Sequence, residues 1–283
     1  MVTKPSERLK VGAAQISSVF LDKKANLGKV DRLLEEAAKS EAKLTVFPEC
    51  ALTGYAFSNL EEVRKVAEPV PGPSTDQIEA SCTRLGCWVV IGLVEAMEGS
   101  FYNTAVLIGP DGVAAKHQKA HLPYQGLDRF SKRGEGPLKV HETPIGKLGL
   151  AVCYDMFFPE TSRVLALMGS ELLVVPTNWA EGVEFYVDYL CQARAVENHI
   201  NLIAANRCGE ERGFKFYGKS RIVDCGGKIL AEAGRDEELI TAELDMIEPH
   251  RKHIVRILGQ WETDYVKDRR PELYEMICTK LKM

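Results

Sequence analysis

The chain has 283 residues, of which 45% are hydrophobic and 27% are charged, and 36 Lys and Arg against 40 Asp and Glu give it a formal charge of −4. This ordinary globular composition excludes a disordered chain, a fibre and a small disulfide-stapled scaffold. Nucleic acid is excluded as a partner for want of excess basic residues. No apolar run approaches the roughly 18 residues of a membrane helix, and the N-terminus lacks the apolar stretch of a signal peptide. We therefore expect a soluble, cytoplasmic protein with no membrane partner.

Apolar stretches bounded by turn residues alternate along the chain with segments of helical period, which predicts an α/β protein. Asp22 precedes the first helical segment and is a candidate cap for its first turn. Pro159 stands near the start of a later helix, where its missing N–H costs no hydrogen bond. In chain order, the predicted elements are strand 9–16, helix 24–39, strand 43–47, helix 74–86, strands 88–94, 104–108 and 148–153, helix 159–169, strand 172–175, helix 184–199 and strand 201–205.

The two halves of the chain resemble each other weakly, with loops of unequal length. Two similar sheets, each covered by helices on one side, can pack face to face. We therefore expect an αββα sandwich whose halves are related by a pseudo-twofold axis. The matching segments are 10–15 with 147–152, 44–48 with 172–176, and a predicted hairpin at 105–116 with one at 220–231.

No linker rich in Ser, Gly or Pro separates the halves, so residues 1–247 are predicted to form one domain. Residues 248–283 differ, because they carry apolar side chains beside several arginines and need a surface to pack on. We expect this C-terminal extension to pack on the domain or on a second subunit. The predicted assembly is a homodimer or a larger homo-oligomer.

The eight cysteines are scattered irregularly, which favours reduced thiols over a disulfide framework. Cys82 and Cys87 have no nearby residues that would complete a tetrahedral zinc site. His117 and His121 are four residues apart, but they flank a passage from strand to loop and not a helix face. The sequence therefore predicts no metal site.

Three polar side chains stand where apolar segments end. Cys153 precedes a tight passage into a helix, which would expose its sulfur and aim the Tyr154 N–H at the attacked atom; the alternative is a buried core cysteine. Glu49 follows a strand and a proline, where partial desolvation raises a carboxyl pKa and suits a general base; the alternative is a solvated strand-end carboxylate. Lys119 could stabilise an oxyanion with the Tyr154 N–H, or it is one surface lysine among many.

These side chains belong to segments that occur together in one enzyme family. The segments are Phe47-Pro48-Glu49, Lys119 with His121-Leu122-Pro123, Cys153-Tyr154-Asp155 before Phe158-Pro159-Glu160, then Leu52-Thr53-Gly54-Tyr55, Pro176-Thr177-Asn178-Trp179, 194–198, Asn206 and Gly218-Lys219-Ser220. They resemble the Glu-Lys-Cys triad segments and their flanks in the nitrilase, or carbon–nitrogen hydrolase, superfamily. The resemblance covers nearly the whole chain and implies an αββα sandwich with 1–247 as the catalytic domain.

The resemblance also implies a mechanism. Glu49 would deprotonate Cys153, whose thiolate attacks a carboxamide carbon, while Lys119 and the Tyr154 N–H hold the oxyanion. Ammonia leaves, and a water activated by Glu49 hydrolyses the thioester, with no metal or organic cofactor required. Cys153-Tyr154-Asp155 is more similar to the amidase and carbamoylase branches than to true nitrilases, which tend toward Cys-Trp-Glu. The predicted substrate is therefore a linear amide or an N-carbamoyl compound.

Five residues are predicted to bind substrate. Many members of the superfamily carry a second glutamate after the lysine motif, and we expect Asp128 to take its place here with a shorter reach. Tyr55, Asn178 and Trp179 follow strand ends and either line the pocket or pack in the core. Tyr154 joins them through its backbone N–H. Supporting polar contacts are expected from Arg194, Glu197 and Asn198 on one helix.

Other functions remain open. Residues Gly213 to Ser220 satisfy the phosphate-loop pattern, which would indicate a nucleotide hydrolase. However, aromatic residues lie inside that segment and a predicted hairpin follows it, where a phosphate loop needs a helix. A nitrilase, an acyltransferase that passes the thioester to an amine, and an inactive binding protein on the same scaffold are the further alternatives.

Overall fold

The computed structural model describes residues 7–279, apart from the side chains of residues 185 and 186. The strands are β1 (Arg8–Gln15), β2 (Leu44–Val46), β3 (Trp88–Met97), β4 (Ser100–Gly109), β5 (Gly112–Gln118), β6 (Val140–Thr143), β7 (Gly146–Leu150), β8 (Leu172–Thr177), β9 (Asn201–Asn206), β10 (Glu210–Glu211), β11 (Phe214–Lys215), β12 (Arg221–Val223), β13 (Ile229–Glu232), β14 (Glu238–Asp245), β15 (His253–Ile257) and β16 (Trp261–Asp264). The α-helices are α1 (Lys23–Lys39), α2 (Leu60–Val66), α3 (Pro73–Leu85), α4 (Pro159–Leu167), α5 (Glu184–Asn198) and α6 (Glu275–Cys278).

Two six-stranded sheets repeat one plan. The first has the strand order β14-β1-β2-β3-β4-β5, and the second has the order β6-β7-β8-β9-β12-β13. In each sheet an antiparallel edge strand lies beside three parallel strands, and an antiparallel hairpin completes the sheet. The two halves of the chain therefore build equivalent sheets, which confirms the predicted αββα sandwich and its internal repeat.

The sheets pack face to face through their parallel strands. β1 contacts β9, and β2 contacts β8 and β9. The core between them combines Val11 and Val46 of the first sheet with Val174 and Ile203 of the second, all fully buried. Helices α1 and α3 pack on the outer face of the first sheet, and α4 and α5 cover the second. Parallel strands buried on both faces require the near-continuous apolar runs that the sequence shows.

The predicted helix ends are confirmed where local chemistry sets them. The Asp22 carboxylate accepts a hydrogen bond of 2.9 Å from the Ala25 N–H and so caps α1. Pro73 stands in the first turn of α3, and Gly86 ends that helix with a φ of +61°. Glycine adopts this left-handed conformation without the steric penalty of a Cβ.

Some elements were not predicted. β14 joins the first sheet antiparallel to β1, with Leu9 opposite Leu244, although only half of its residues are apolar and only Ile240 and Leu244 are buried. An edge strand with so few buried positions gives a weak pattern. α2 and the hairpin of β15 with β16 were also missed. The predicted strand 148–153 ends earlier, at Leu150, so Cys153 lies beyond the strand.

The C-terminal extension packs on the second sheet's helices and leaves much apolar surface exposed. The Lys252 ammonium donates hydrogen bonds of 3.0 and 2.8 Å to the carbonyls of Asn198 and His199 at the end of α5. The Tyr265 ring stacks on His199 at 5.2 Å. A groove of about 680 Å³ lies between the extension and α4. The large apolar side chains exposed on these elements include Val164, Leu167, Val255, Ile257, Leu258, Trp261, Leu273, Met276 and Ile277.

The sequence argued against a metal site, a phosphate-binding loop and a membrane-spanning helix. Across residues 7–279, no group of His, Cys, Asp and Glu side chains is arranged to hold a metal ion, and no helix has both the length and the apolar composition needed to cross a bilayer. In the phosphate-loop segment, β11 and then β12 take the place of a helix, and Lys219 pairs with Glu232 at 2.7 Å. The geometry required for phosphate binding at a helix N-terminus is therefore missing from this described segment.

Candidate active site

Glu49 lies in a loop that crosses close to β3. The Phe47 N–H donates to the Val90 carbonyl, and the Gly92 N–H donates to the Pro48 carbonyl. A Cβ built on Gly92 would lie 2.5 Å from the Glu49 Cα. No real Cβ approaches backbone so closely, so glycine at position 92 allows the loop to pass and to carry Glu49 into the interior, where it is fully buried.

Lys119 follows β5 and is held through both of its backbone groups. Its N–H donates to the Asn103 carbonyl at 2.8 Å, and its own carbonyl accepts from the Gly134 N–H at 2.9 Å. The side chain is 1% exposed. A lysine is rarely buried unless its charge is paired, which excludes the interpretation of Lys119 as an ordinary surface residue.

Cys153 begins a short 3₁₀ turn, 153–157, three residues after the last residue of β7. Its backbone φ is +45°, an uncommon conformation for a residue other than glycine. Strain of this kind persists only where the surrounding structure enforces it, and it concentrates at functional sites. The predicted elbow at Cys153 is therefore present in the backbone, although the thiol is 5% exposed.

Lys119 forms ion pairs with two buried carboxylates. Its Nζ lies 2.7 Å from Glu49 Oε1 and 2.6 Å from Asp128 Oδ2, and all three side chains are closed to solvent. Two of the three ammonium N–H groups are thereby used, which leaves one free to bond a third acceptor. Glu49 and Lys119, which were predicted to act together, are thus in direct contact.

The pKa values within the cluster are set by burial and by the neighbouring charges. Burial raises the pKa of Glu49, Lys119 opposes this, and Asp128 adds to it. Burial disfavours the Lys119 charge, but Glu49 and Asp128 together hold its pKa well above the ordinary value. Lys119 therefore stays protonated, whereas Glu49 takes up a proton more readily than an exposed glutamate.

The Cys153 thiol lies close enough to this cluster for its charges to act on the sulfur. Burial and the Glu49 charge raise the thiol pKa, while Lys119, the Thr177 hydroxyl and the Asn178 backbone N–H lower it. The resting sulfur is therefore a protonated thiol, and forming the nucleophile requires a base beside it. The Glu49 charge acts on this sulfur, and Glu49 Oε2 has no hydrogen-bond partner among the described residues.

Two further polar residues complete the cluster. The Tyr55 hydroxyl donates to Asp128 Oδ2 at 2.9 Å. Asn103, on β4, donates from its Nδ2 to Glu49 Oε1 at 2.6 Å and to Asp128 Oδ1 at 2.9 Å. Asn103 was not predicted as a site residue. The sequence does contain one signal for it, since Asn103 interrupts the apolar run of β4, and a buried amide requires hydrogen-bond partners.

A buried carboxylate joins the lysine segment to the cysteine segment. Asp155 accepts hydrogen bonds from His117 Nε2 at 2.9 Å, His121 Nδ1 at 2.7 Å and the His121 N–H at 3.0 Å. Burial raises the Asp155 pKa, but the bonds from both histidines outweigh this and hold it well below its usual range. The ring nitrogens that face Asp155 are occupied by these bonds, so both histidines link the lysine segment to the cysteine segment.

The other predicted residues lie near the cysteine or support it. Asn178 and Trp179 are buried, and within residues 7–279 neither the Asn178 amide nor the Trp179 indole N–H has a hydrogen-bond partner. Unpaired buried polar groups of this kind are suited to a ligand. The Tyr154 ring packs against Phe157 at 4.9 Å. Arg194 supports the turn after Cys153, since its Nε donates to the Met156 carbonyl at 3.1 Å.

Comparison with known proteins places these features in a family. The sequence profile of the family "Carbon-nitrogen hydrolase" matches residues 10–252. A protein named nitrilase from Pyrococcus abyssi is 35% identical over 268 residues, covering 94% of this chain and 99% of its own. Omega-amidase NIT2-B from Xenopus laevis is 33% identical over 237 residues, covering 79% of this chain and 84% of its own.

A solved structure of similar fold shows a modified site. A variant of the amidase from Nesterenkonia sp. AN1, with covalent addition of the acetamide moiety of fluoroacetamide at its active-site cysteine, is 29% identical with a TM-score of 0.78. The similarity covers 98% of both chains. With the family profile, the fold and the relatives in agreement, this chain belongs to the carbon–nitrogen hydrolase family.

Proposed function

We propose that the chain is an amidohydrolase that cleaves a carboxamide or N-carbamoyl C–N bond through a thioester on Cys153 and releases ammonia. The observation that carries the proposal is the position of Lys119 between Glu49 and Asp128, closed to solvent, with Cys153 within reach of its charges. Such a cluster supplies a base, a fixed cation and a nucleophile around one carbon atom.

The first half of the reaction follows from these groups. The thiol proton passes to Glu49 Oε2 while the sulfur attacks the carbonyl carbon. The oxyanion accepts from the free N–H of Lys119 and from the Tyr154 N–H. The C–N bond then breaks, and the leaving nitrogen takes the proton from Glu49 and departs as ammonia, which leaves an acyl group on Cys153.

The second half reverses the proton transfers. Glu49 takes a proton from water, the resulting hydroxide attacks the thioester, and the C–S bond breaks with the proton returned to sulfur. This sequence of steps requires no metal or organic cofactor. The covalent acetamide adduct in the related Nesterenkonia amidase supports acylation of cysteine as the route.

Tyr55, Asp128, Tyr154, Asn178 and Trp179 are proposed to bind substrate or to position the groups that do. The unpaired amide of Asn178 and the unpaired indole N–H of Trp179 are available to hydrogen-bond a substrate. Asp128 already bonds Lys119, Asn103 and Tyr55, so it acts on substrate chiefly by orienting Lys119. The free state of all eight cysteines supports a reducing, cytoplasmic setting for the enzyme.

Ammonia release across a panel of amides, N-carbamoyl compounds and nitriles tests the proposal, with Cys153→Ala as the control. We expect turnover of an amide or carbamoyl compound, an acyl adduct in the intact mass of the wild type, and neither in the alanine variant. Nitrile turnover faster than that of every amide would support a nitrilase, in line with the name of the Pyrococcus relative. If hydroxamate forms faster than the amide is hydrolysed in the presence of hydroxylamine, the result would support an acyltransferase.

A second copy of the chain is the proposed partner. The exposed apolar side chains of α4 and the C-terminal extension form a surface that a soluble monomer rarely leaves open. We expect light scattering after size exclusion to give the mass of a dimer or larger oligomer for the full chain. For a chain truncated before Glu248, we expect a smaller oligomer. An unchanged mass for the truncated chain would contradict the assignment of the extension to the interface.

A further inference from the structure

Asn103 is a buried amide at the centre of the charged cluster. It lies in β4 opposite Val94 of β3, and its side chain has no exposed surface. Its neighbours along β4 are largely apolar, so the strand itself offers the amide no partners. Burying an amide is unfavourable unless its hydrogen bonds are made, and here the partners are the functional groups themselves.

The amide N–H groups and the backbone carbonyl of Asn103 all bond residues of the site. The amide Nδ2 donates to Glu49 Oε1 and Asp128 Oδ1, and the amide oxygen accepts from the Cys50 thiol at 3.7 Å. The backbone carbonyl accepts from the Lys119 N–H at 2.8 Å. Turning the amide over would direct its oxygen at two carboxylates, so electrostatic repulsion allows one orientation only.

The bonds to Glu49 are asymmetric. Oε1 accepts from both Asn103 and Lys119, whereas Oε2 has no partner among residues 7–279. Two donors on one oxygen fix the plane of the carboxylate and leave the second oxygen available for proton transfer. Lys119 alone would leave the carboxylate free to rotate about that single contact.

We propose that Asn103 is a positioning residue, whose amide holds Glu49 and Asp128 on either side of Lys119 so that Glu49 Oε2 exchanges protons with the thiol and with water. This inference rests on the proposed function, because it assigns the proton transfers of that same reaction. Asn103 acts through Glu49 and contacts no reacting atom itself.

The pH dependence of the reaction provides a readout. The groups that act on Glu49 or feel its charge are Lys119, Asp128, Tyr55, Cys50 and Cys153. The Asn103 hydrogen bond lowers the Glu49 pKa against the larger effect of burial. Since Glu49 must be ionised to accept the thiol proton, loss of this bond moves the acid limb of the rate profile to higher pH.

The test replaces Asn103 by leucine, which has similar size and no donor, and by serine in case the leucine variant does not fold. We expect kcat to fall about 10²-fold, as for a misplaced catalytic group, with little change in KM and with the acid limb of kcat/KM at higher pH.

The matched control is Asn201→Leu. Asn201 is a buried amide in β9 that bonds the Asp245 carbonyl and the Cys225 N–H. The Asn201→Leu variant should be less stable, but the acid limb of its kcat/KM profile should stay at the wild-type pH.

A measurement without substrate separates this proposal from the proposed function. The rate at which iodoacetamide alkylates Cys153, followed by peptide mass spectrometry against pH, rises as Glu49 ionises and becomes able to take the thiol proton. We expect the midpoint of this profile to move to higher pH in the Asn103 variants and to stay in place in Asn201→Leu. Wild-type kcat and an unmoved alkylation midpoint in the folded Asn103 variants would overturn the proposal. Failure of the wild type to hydrolyse any compound of the panel would overturn only the proposed function.

Discussion

Replacing Lys119 by methionine is expected to remove activity and also to destabilise the fold. Methionine fills a similar volume but leaves Glu49 and Asp128 buried without the cation that both contact. Removing one partner of a buried ion pair typically costs about 3–5 kcal/mol, because the remaining charge is neither solvated nor paired. The variant also loses the proposed oxyanion donor, so we expect kcat to fall by about 10²- to 10³-fold. Urea unfolding and ammonia release measure the two effects.

The destabilisation of Lys119→Met should depend on pH in a defined direction. Lys119 lowers the Glu49 pKa, so its removal raises that pKa further above the unfolded value. A carboxyl whose pKa is raised on folding binds more protons in the folded state, and the free energy of unfolding then falls as pH rises. The loss should therefore be larger at pH 8 than at pH 5.

Lys29→Met is the matched control for this prediction. Lys29 lies 2.6 Å from Glu237, but both side chains are partly exposed. An exposed pair contributes no more than about 1 kcal/mol, and water solvates the partner when the lysine is removed. Equal losses of stability in Lys119→Met and Lys29→Met would contradict the buried ion-pair cluster.

Replacing Glu49 by glutamine is expected to separate activity from stability. The amide keeps the shape of the side chain, and Lys119 retains Asp128 as its partner. The variant lacks a base for the thiol and for water, which lowers kcat by about 10²- to 10⁴-fold. Because burial opposes the Glu49 charge, a neutral side chain costs little, and we expect the free energy of unfolding to change by less than about 1 kcal/mol.

The comparison of Glu49→Gln with Asp155→Asn checks that the loss arises at the base. Asp155 accepts hydrogen bonds from the histidines of the lysine segment, and within residues 7–279 Glu49 is not among its hydrogen-bond partners. Asp155→Asn should lower stability as well as rate, since its carboxylate accepts bonds from both rings. A Glu49→Gln variant that retained wild-type turnover would exclude Glu49 as the base.

Much of the fold is determined by local sequence pattern. Strands such as β8 and β9 are short apolar runs bounded by turn residues, and helices such as α1 begin at a capping side chain. These features depend on neighbours in the chain, so they can be predicted without the tertiary structure. The recurrence of the same runs in both halves then predicts two sheets of the same plan.

Glu49, Lys119, Cys153 and Asp128 were proposed as site residues from the sequence, but the contacts of Asn103 and the histidine contacts of Asp155 were not. Asn103 is 54 residues from Glu49 and 25 from Asp128 along the chain, and Asp155 is 38 from His117. Contacts of this separation leave no periodic pattern in the sequence. β14 was missed for the related reason that its place is set by pairing with β1, at the other end of the chain.

The sequence by itself determined the α/β class and the doubled plan of the sheets, and it pointed to the three side chains to which the proposed chemistry is assigned. The tertiary structure decided how these side chains are held: which oxygen of Glu49 is free, which carboxylates share Lys119, and which amide lies between them. The physical reason is that secondary structure follows from short-range sterics and apolar periodicity, whereas hydrogen-bond partners and desolvation depend on segments that meet only when the chain has folded.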